Sequence, residues 1–279
     1  MKKGFNLFKF IREVILILLA IMCIYPLIWM ILSAFKTEPE IYNSPLGFPC
    51  SLNYTFLTDV WNGTLSTPFY KFILNSFFVT IISLLFMCII ATMAAYGLSR
   101  FEFKGLKTIN FFILLAMAIP LQAYFISLYV QLRDMKMVDN LFSLSVMFVT
   151  TSLPFAIIML MGYFRSFPRS IEEAAVIDGC NELKKMIFVV VPMAKSAIAT
   201  LAIINFAGYW NELLLSLLII SDNSKKTVNL GILAYRTAYS IKLGHSFAAL
   251  TFSVIPVLLF FIIFQKQIIK GVTLGSLKG

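Results

Sequence analysis

Long apolar runs separated by short polar segments dominate the chain, and six of them approach the length that crosses a hydrocarbon core as a helix, about 20 residues at 1.5 Å each. They are Val14–Ala34, Phe72–Leu98, Ile109–Tyr129, Leu141–Tyr163, Ser196–Ile220 and Ser246–Phe264. Five contain no Asp, Glu, Lys, Arg or His, so each backbone can satisfy itself as a helix in lipid without burying a charge. The exception is Glu212 in the fifth. The pattern predicts an all-α integral membrane protein with six transmembrane helices. Its parts are an N-terminus at 1–13, a first span at 14–34, a loop at 35–71, a core of spans at 72–265 and a tail at 266–279.

The polar segments differ in kind. Residues 36–71 carry Pro39, Pro45, Pro49 and Pro68 among scattered aromatic residues, which predicts an irregular cap. The loop 164–195 is structured by its own sequence. Pro168 stops what precedes it, Ser170 and Glu173 have the spacing of a capping box, and Asp178-Gly179 is a helix-ending signal. Asn181 can open a second helix that runs to Val191, before Pro192. Glu172 and Glu173 suit the positive end of the first helix, while Ala174 and Ala175 let another surface approach its backbone. On spacing alone, an interfacial linker and a docking helix fit equally well.

Composition sharpens the class. The chain is 60% hydrophobic and 13% charged, with a mean hydropathy of +0.90, far from the balance of soluble domains. Placing the N-terminus inside puts about two-thirds of the 23 Lys and Arg residues on the cytoplasmic side, so both termini are expected there. That bias and contact with anionic lipid account for the net charge of +10 without nucleic acid. The run from Val14 is too long for a signal-peptide core and reads as a retained anchor. Four cysteines without a Cys-x-x-Cys, and a lone His245 expected to be solvent-exposed, make no metal site. No Gly-x-x-x-x-Gly-Lys-Ser/Thr phosphate cradle occurs, so no cofactor is expected on this chain.

The loop contains Glu173-Ala-Ala, three residues, Gly179, nine residues, then Val189-x-Val191-Pro192. This resembles the signature of ABC importer permeases, Glu-Ala-Ala, three, Gly, nine, Ile-x-Leu-Pro, with valine at both aliphatic positions. Tyr25-Pro26, Ser99-Arg100-Phe-Glu-Phe-Lys-Gly105, Pro154-Phe, Gly162-Tyr-Phe, Trp210-Asn-Glu212 and the tail Gly271 to Gly279 resemble the carbohydrate branch, specifically its maltose-type second permease.

The resemblance implies a type I importer permease fold and a sugar-translocating subunit in the cytoplasmic membrane of a prokaryote. It also implies four kinds of company: a second homologous permease, two cytoplasmic ATPase subunits that bind the ATP, an extracellular solute-binding protein and the bilayer. Under it Glu172, Glu173, Ala174, Ala175, Asp178, Gly179 and Pro192 are the ATPase-coupling residues, and Gly275, Lys278 and Gly279 of the tail reach toward the ATPase.

Asn75, Gln122, Asn205, Asn211 and Glu212 could line a polar path, although helix-to-helix hydrogen bonding explains the amides equally well and Trp210 beside Glu212 fits an interfacial belt. A permease for another small solute remains an alternative. An ion-coupled secondary transporter is another; it usually wants acidic residues near the midplane and often an internal repeat, and one off-centre glutamate with no visible repeat argues against it. A membrane enzyme would need convergent titratable groups, and none is evident.

Overall fold

The computed structural model describes residues 7–64, 67–235 and 242–276. In chain order the helices are α1 (Leu7–Ser33), α2 (Glu38–Asn43), α3 (Thr55–Asn62), α4 (Phe69–Arg100), α5 (Leu106–Ala118), α6 (Phe125–Asp134), α7 (Leu141–Arg165), α8 (Arg169–Ile177), α9 (Glu182–Lys185), α10 (Val191–Met193), α11 (Lys195–Asn211), α12 (Leu214–Ile219), α13 (Val228–Ile232) and α14 (Leu243–Ser276). Among the described residues there is no strand. Four helices, α1, α4, α7 and α14, are long and apolar enough to cross a membrane, and two bent pairs bring the number to six if each is one span.

The bends have local causes. The third predicted span breaks at Pro120, where α5 meets the segment Leu121–Asp134 at 90°. Ile119 is extended because a residue preceding proline avoids the helical region. Pro154 and Pro256 lie inside α7 and α14, which continue through them. The fifth predicted span ends early: α11 stops at Asn211, Glu212 is extended, and α12 follows.

The packing divides into two units. One comprises the residues up to Tyr70 together with Gly231–Pro256. In it the loop after α1, expected to be irregular, holds the two short helices α2 and α3. Lys36 is fully buried and its Nζ donates to the carbonyls of Ser44 and Pro45, both at 2.9 Å. Thr37 N–H and Cys50 N–H donate to Glu40, at 2.8 and 2.9 Å, and hold its carboxyl down at about 2. His245, expected to be exposed, packs on the ring of Phe56 and stacks on Tyr235, with Nε2 3.4 Å from Asp59. Gly244 lies so close to Phe56 that a Cβ there would sit 2.1 Å from the ring.

The other unit comprises Lys71–Leu230 and the chain from Val257. Its core is a seam of i, i+4 positions: Met87, Ala91 and Ala95 of α4, Ala156, Leu160 and Phe164 of α7, and Ala197 and Leu201 of α11, all essentially buried. Alanines on all three helices let the backbones approach, which is how helices associate in lipid without a hydrophobic driving force between them. At the end of α4 remote from Arg100, Asn75 Nδ2 donates to the carbonyls of Ser224 and Lys226, at 2.9 Å each, and Ser76 accepts from Val228 N–H. Asp139, at a positive φ of 53°, accepts from the backbone N–H groups of Ser221 and Asp222 and pins the same loop.

Candidate coupling loop

The loop after α7 folds as two short helices with a glycine turn between them. Ser166 and Phe167 close the end of α7, Pro168 is extended, and α8 starts at Arg169. The expected capping box does not form: Pro168 is the N-cap and Ser170 lies inside the first turn, because the helix begins directly after the proline.

The C-terminus follows the prediction. Cys180 N–H donates to Ala175 and Gly179 N–H to Val176, the paired bonds of a Schellman turn, with Gly179 at φ +82°. Asn181 Oδ1 then accepts from Lys184 N–H and caps α9. The second helix does not stop before Pro192. A π-helical stretch at Met186–Val190 widens the turn, and α10 carries the proline, whose ring would otherwise crowd the carbonyl four residues back.

Two side chains tie this loop to the end of α4. Arg100 Nη2 lies 2.5 Å from Glu172 Oε1, with both side chains more than nine-tenths buried. Tyr96 Oη donates to Glu182 Oε2 at 2.9 Å, while Glu182 Oε1 holds Lys185 at 2.8 Å. Both α8 and α9 are therefore anchored to one helix. A displacement of the loop is passed directly to α4, because a buried ion pair cannot be opened cheaply.

The structure divides the residues that the sequence grouped together. Glu172 and Ala175 face inward, so neither is free to meet another surface. Ile171, Glu173, Ala174, Val176, Ile177, Asp178 and Gly179 are exposed, as is Pro192. The exposed set is an apolar ridge that carries two carboxylates, Glu173 and Asp178, and Ile177 is 86% exposed. Large apolar groups exposed at a loop tip mark a surface that meets a partner protein or the membrane. Arg100, Tyr96 and Glu182 were missed as site residues; their pairing spans 72 residues or more and has no local signal. Gly275 lies in α14, and Lys278 and Gly279 lie outside the described residues.

The five residues proposed for a polar path do not converge. Asn75 staples α4 to the loop at Ser224 and Lys226. Asn205 and Asn211 donate to carbonyls of their own helix, those of Leu201 and Ala207. Gln122 is exposed at the Pro120 break. Glu212 accepts from Leu215 and Ser216 N–H at 2.9 and 3.2 Å, so its carboxylate caps the start of α12.

Comparison with known proteins fits this geometry. A diacetylchitobiose uptake system permease protein of Streptomyces coelicolor is 33% identical over 97% of this chain and 89% of its own length. A trehalose/maltose transport system permease protein of Thermococcus litoralis is 32% identical over 94% of both chains. The fold matches, with a TM-score of 0.83, a chain of a bacterial ABC transporter involved in the import of the acidic polysaccharide alginate, covering 95% of this chain and 98% of that one at 22% identity. Residues 87–274, which hold the candidate coupling loop and its anchors on α4, match the model of the binding-protein-dependent transport system inner membrane component. With that match over most of its length, the chain belongs to this family of transport permeases.

Proposed function

We propose that this permease carries a sugar, an oligosaccharide or a related glycoside across the cytoplasmic membrane by alternating access, driven by ATP hydrolysis on partner subunits. The observation that carries the reading is full-length similarity to permeases named for diacetylchitobiose and for trehalose/maltose. The other members of the assembly are a second homologous permease, two cytoplasmic ATPase subunits and an extracellular solute-binding protein. Both termini are cytoplasmic, which the basic bias of the loops supports. Nucleotide stays on the ATPase subunits. The exposed ridge of α8, with Glu173, Ala174 and Val176, docks on the ATPase, and the tail around Gly275, Lys278 and Gly279 reaches the same partner. Its movement tilts the helices to which the loop is fixed. Of the residues considered for the path, Gln122 is the one side chain that stands exposed and without a bond to backbone among the described residues.

The experiment compares Glu173→Gln with wild type in the purified full assembly, reading sugar uptake and sugar-stimulated ATPase activity. Both should fall about tenfold or more, the loss expected of one charge-assisted contact, while insertion and assembly persist. Unchanged uptake sinks the docking assignment. Uptake of an unrelated solute class, with no sugar response, sinks the substrate reading.

A further inference from the structure

A cavity of about 300 Å³ opens where α4 and α7 end, lined by Ser99, Arg100, Glu102, Arg165, Phe167 and Arg169, among others. The volume is at the low end of those that hold small molecules. Its lining is unusual for a helix end. Three arginines and one carboxylate, Glu102, line it beside the apolar side chains of Leu98, Phe101, Leu106 and Phe167, and Arg100 is also paired with Glu172. Arg165 and Arg169 are exposed and have no ion-pair partner among the described residues.

Arg100 adds a second, independent observation. Its side chain is only 8% exposed, and beyond the Glu172 contact its Nε–H has no hydrogen-bond partner among the described residues. A buried guanidinium N–H left unsatisfied costs free energy that an anionic oxygen would recover. The fork geometry of arginine suits phosphate oxygens in particular.

We propose that this cavity binds the phosphate headgroup of an anionic membrane lipid, gripped by Arg165 and Arg169 with Arg100 behind them. Its position decides the source of the phosphate. The cavity sits where two spanning helices emerge, and on the orientation proposed above that boundary is the cytoplasmic leaflet, whose lipids are the anionic ones. Leu98, Phe101 and Leu106 of the wall offer the glycerol and upper chains an apolar surface beside the charged group. Pro168 follows directly between Phe167 and Arg169, so a headgroup held there also braces the start of α8. The inference goes beyond the transport reading and does not depend on which solute is carried.

The test uses the purified full assembly in nanodiscs of phosphatidylcholine mixed with phosphatidylglycerol, with retained lipid identified by native mass spectrometry. Wild type should keep phosphatidylglycerol preferentially, and the double variant Arg165→Gln/Arg169→Gln should lose that preference by about twenty-five-fold, on the order of fivefold for each arginine. If that variant fails to assemble, Arg165→Lys/Arg169→Lys keeps both charges without the fork and should lose part of the preference. Equal retention in wild type and variant overturns the proposal. So does displacement of phosphatidylglycerol by an equal concentration of inorganic phosphate, which would make free phosphate the ligand. Lipid preference found in the permease pair stripped of its ATPase subunits but absent from the full assembly overturns it as well, because a protein surface would then fill the cavity.

Discussion

Neutralising either member of the Arg100–Glu172 pair should damage the coupling loop more than neutralising both. The two groups are 2.5 Å apart and more than nine-tenths buried, so each is the main compensation for the other's desolvated charge. Glu172→Gln leaves a guanidinium buried without its counter-charge, and Arg100→Gln leaves a carboxylate in the same position. Breaking a buried pair on one side costs about 3–5 kcal/mol, whereas replacing both partners with neutral groups is often close to neutral. The double variant Arg100→Gln/Glu172→Gln is therefore expected to recover at least about 3–5 kcal/mol of the loss predicted by adding the singles, which leaves it less damaged than either one.

The assay is hydrogen exchange on the assembled transporter, read over the amides of α8 and α9 and referred to those of α7. Each single variant should speed exchange in α8 by about a hundredfold or more, with the double variant intermediate between wild type and singles. Sugar uptake should rank the variants in the same order. Free energies that add to within about 0.5 kcal/mol would refute the reasoning, since they would mean that the two side chains act independently.

Other consequences are equally specific. Tyr96→Phe removes the hydroxyl that Glu182 accepts, and should weaken the α9 anchor by about 1–2 kcal/mol, read as faster exchange at residues 182–185 with α8 unchanged. Gly244→Ala drives a Cβ to 2.1 Å from the Phe56 ring, an overpacking that should cost about 1–3 kcal/mol and lower the thermal midpoint of the purified protein. Glu40, held at about 2 against an ordinary 4.5, stabilises the cap fully above the higher value and loses that contribution as pH falls toward the lower one. Exchange over residues 37–50 should therefore quicken between pH 5 and pH 2, and Glu40→Gln should flatten that dependence.

The spans were legible because an apolar run of about 20 residues needs no tertiary context to be a helix in lipid. Their interruptions were not legible. The span Ile109–Tyr129 runs straight through Pro120 in the sequence pattern although the proline breaks it, and Glu212 reads as an intramembrane charge until its carboxylate is seen on the amides of Leu215 and Ser216. The end of α8 was readable from Gly179, since only the backbone decides it. Its start was misplaced by two residues, with Ser170 in place of Pro168 as the N-cap, because Ser170-x-x-Glu173 is a local pattern and the helix was already under way after Pro168. His245 looked like a surface histidine because the rings of Phe56 and Tyr235 that cover it come from distant parts of the chain.

Two adjacent carboxylates in the same motif have opposite environments, and under the docking role proposed above that difference lets one short helix both receive force and pass it on. Glu172 is turned inward to Arg100, so α8 cannot slide on the end of α4 without exposing a charge. Glu173 is turned outward within an exposed apolar ridge, where a partner can grip it. Successive residues on a helix point about 100° apart, so a Glu-Glu pair is the shortest sequence that puts one carboxylate on the anchor and another on the docking face. The anchor on Glu182 ties the second helix to α4 as well, and the turn at Gly179 joins it to the first. Force applied at Glu173 therefore arrives at α4 by two routes, and weakening one should slow coupling without abolishing it.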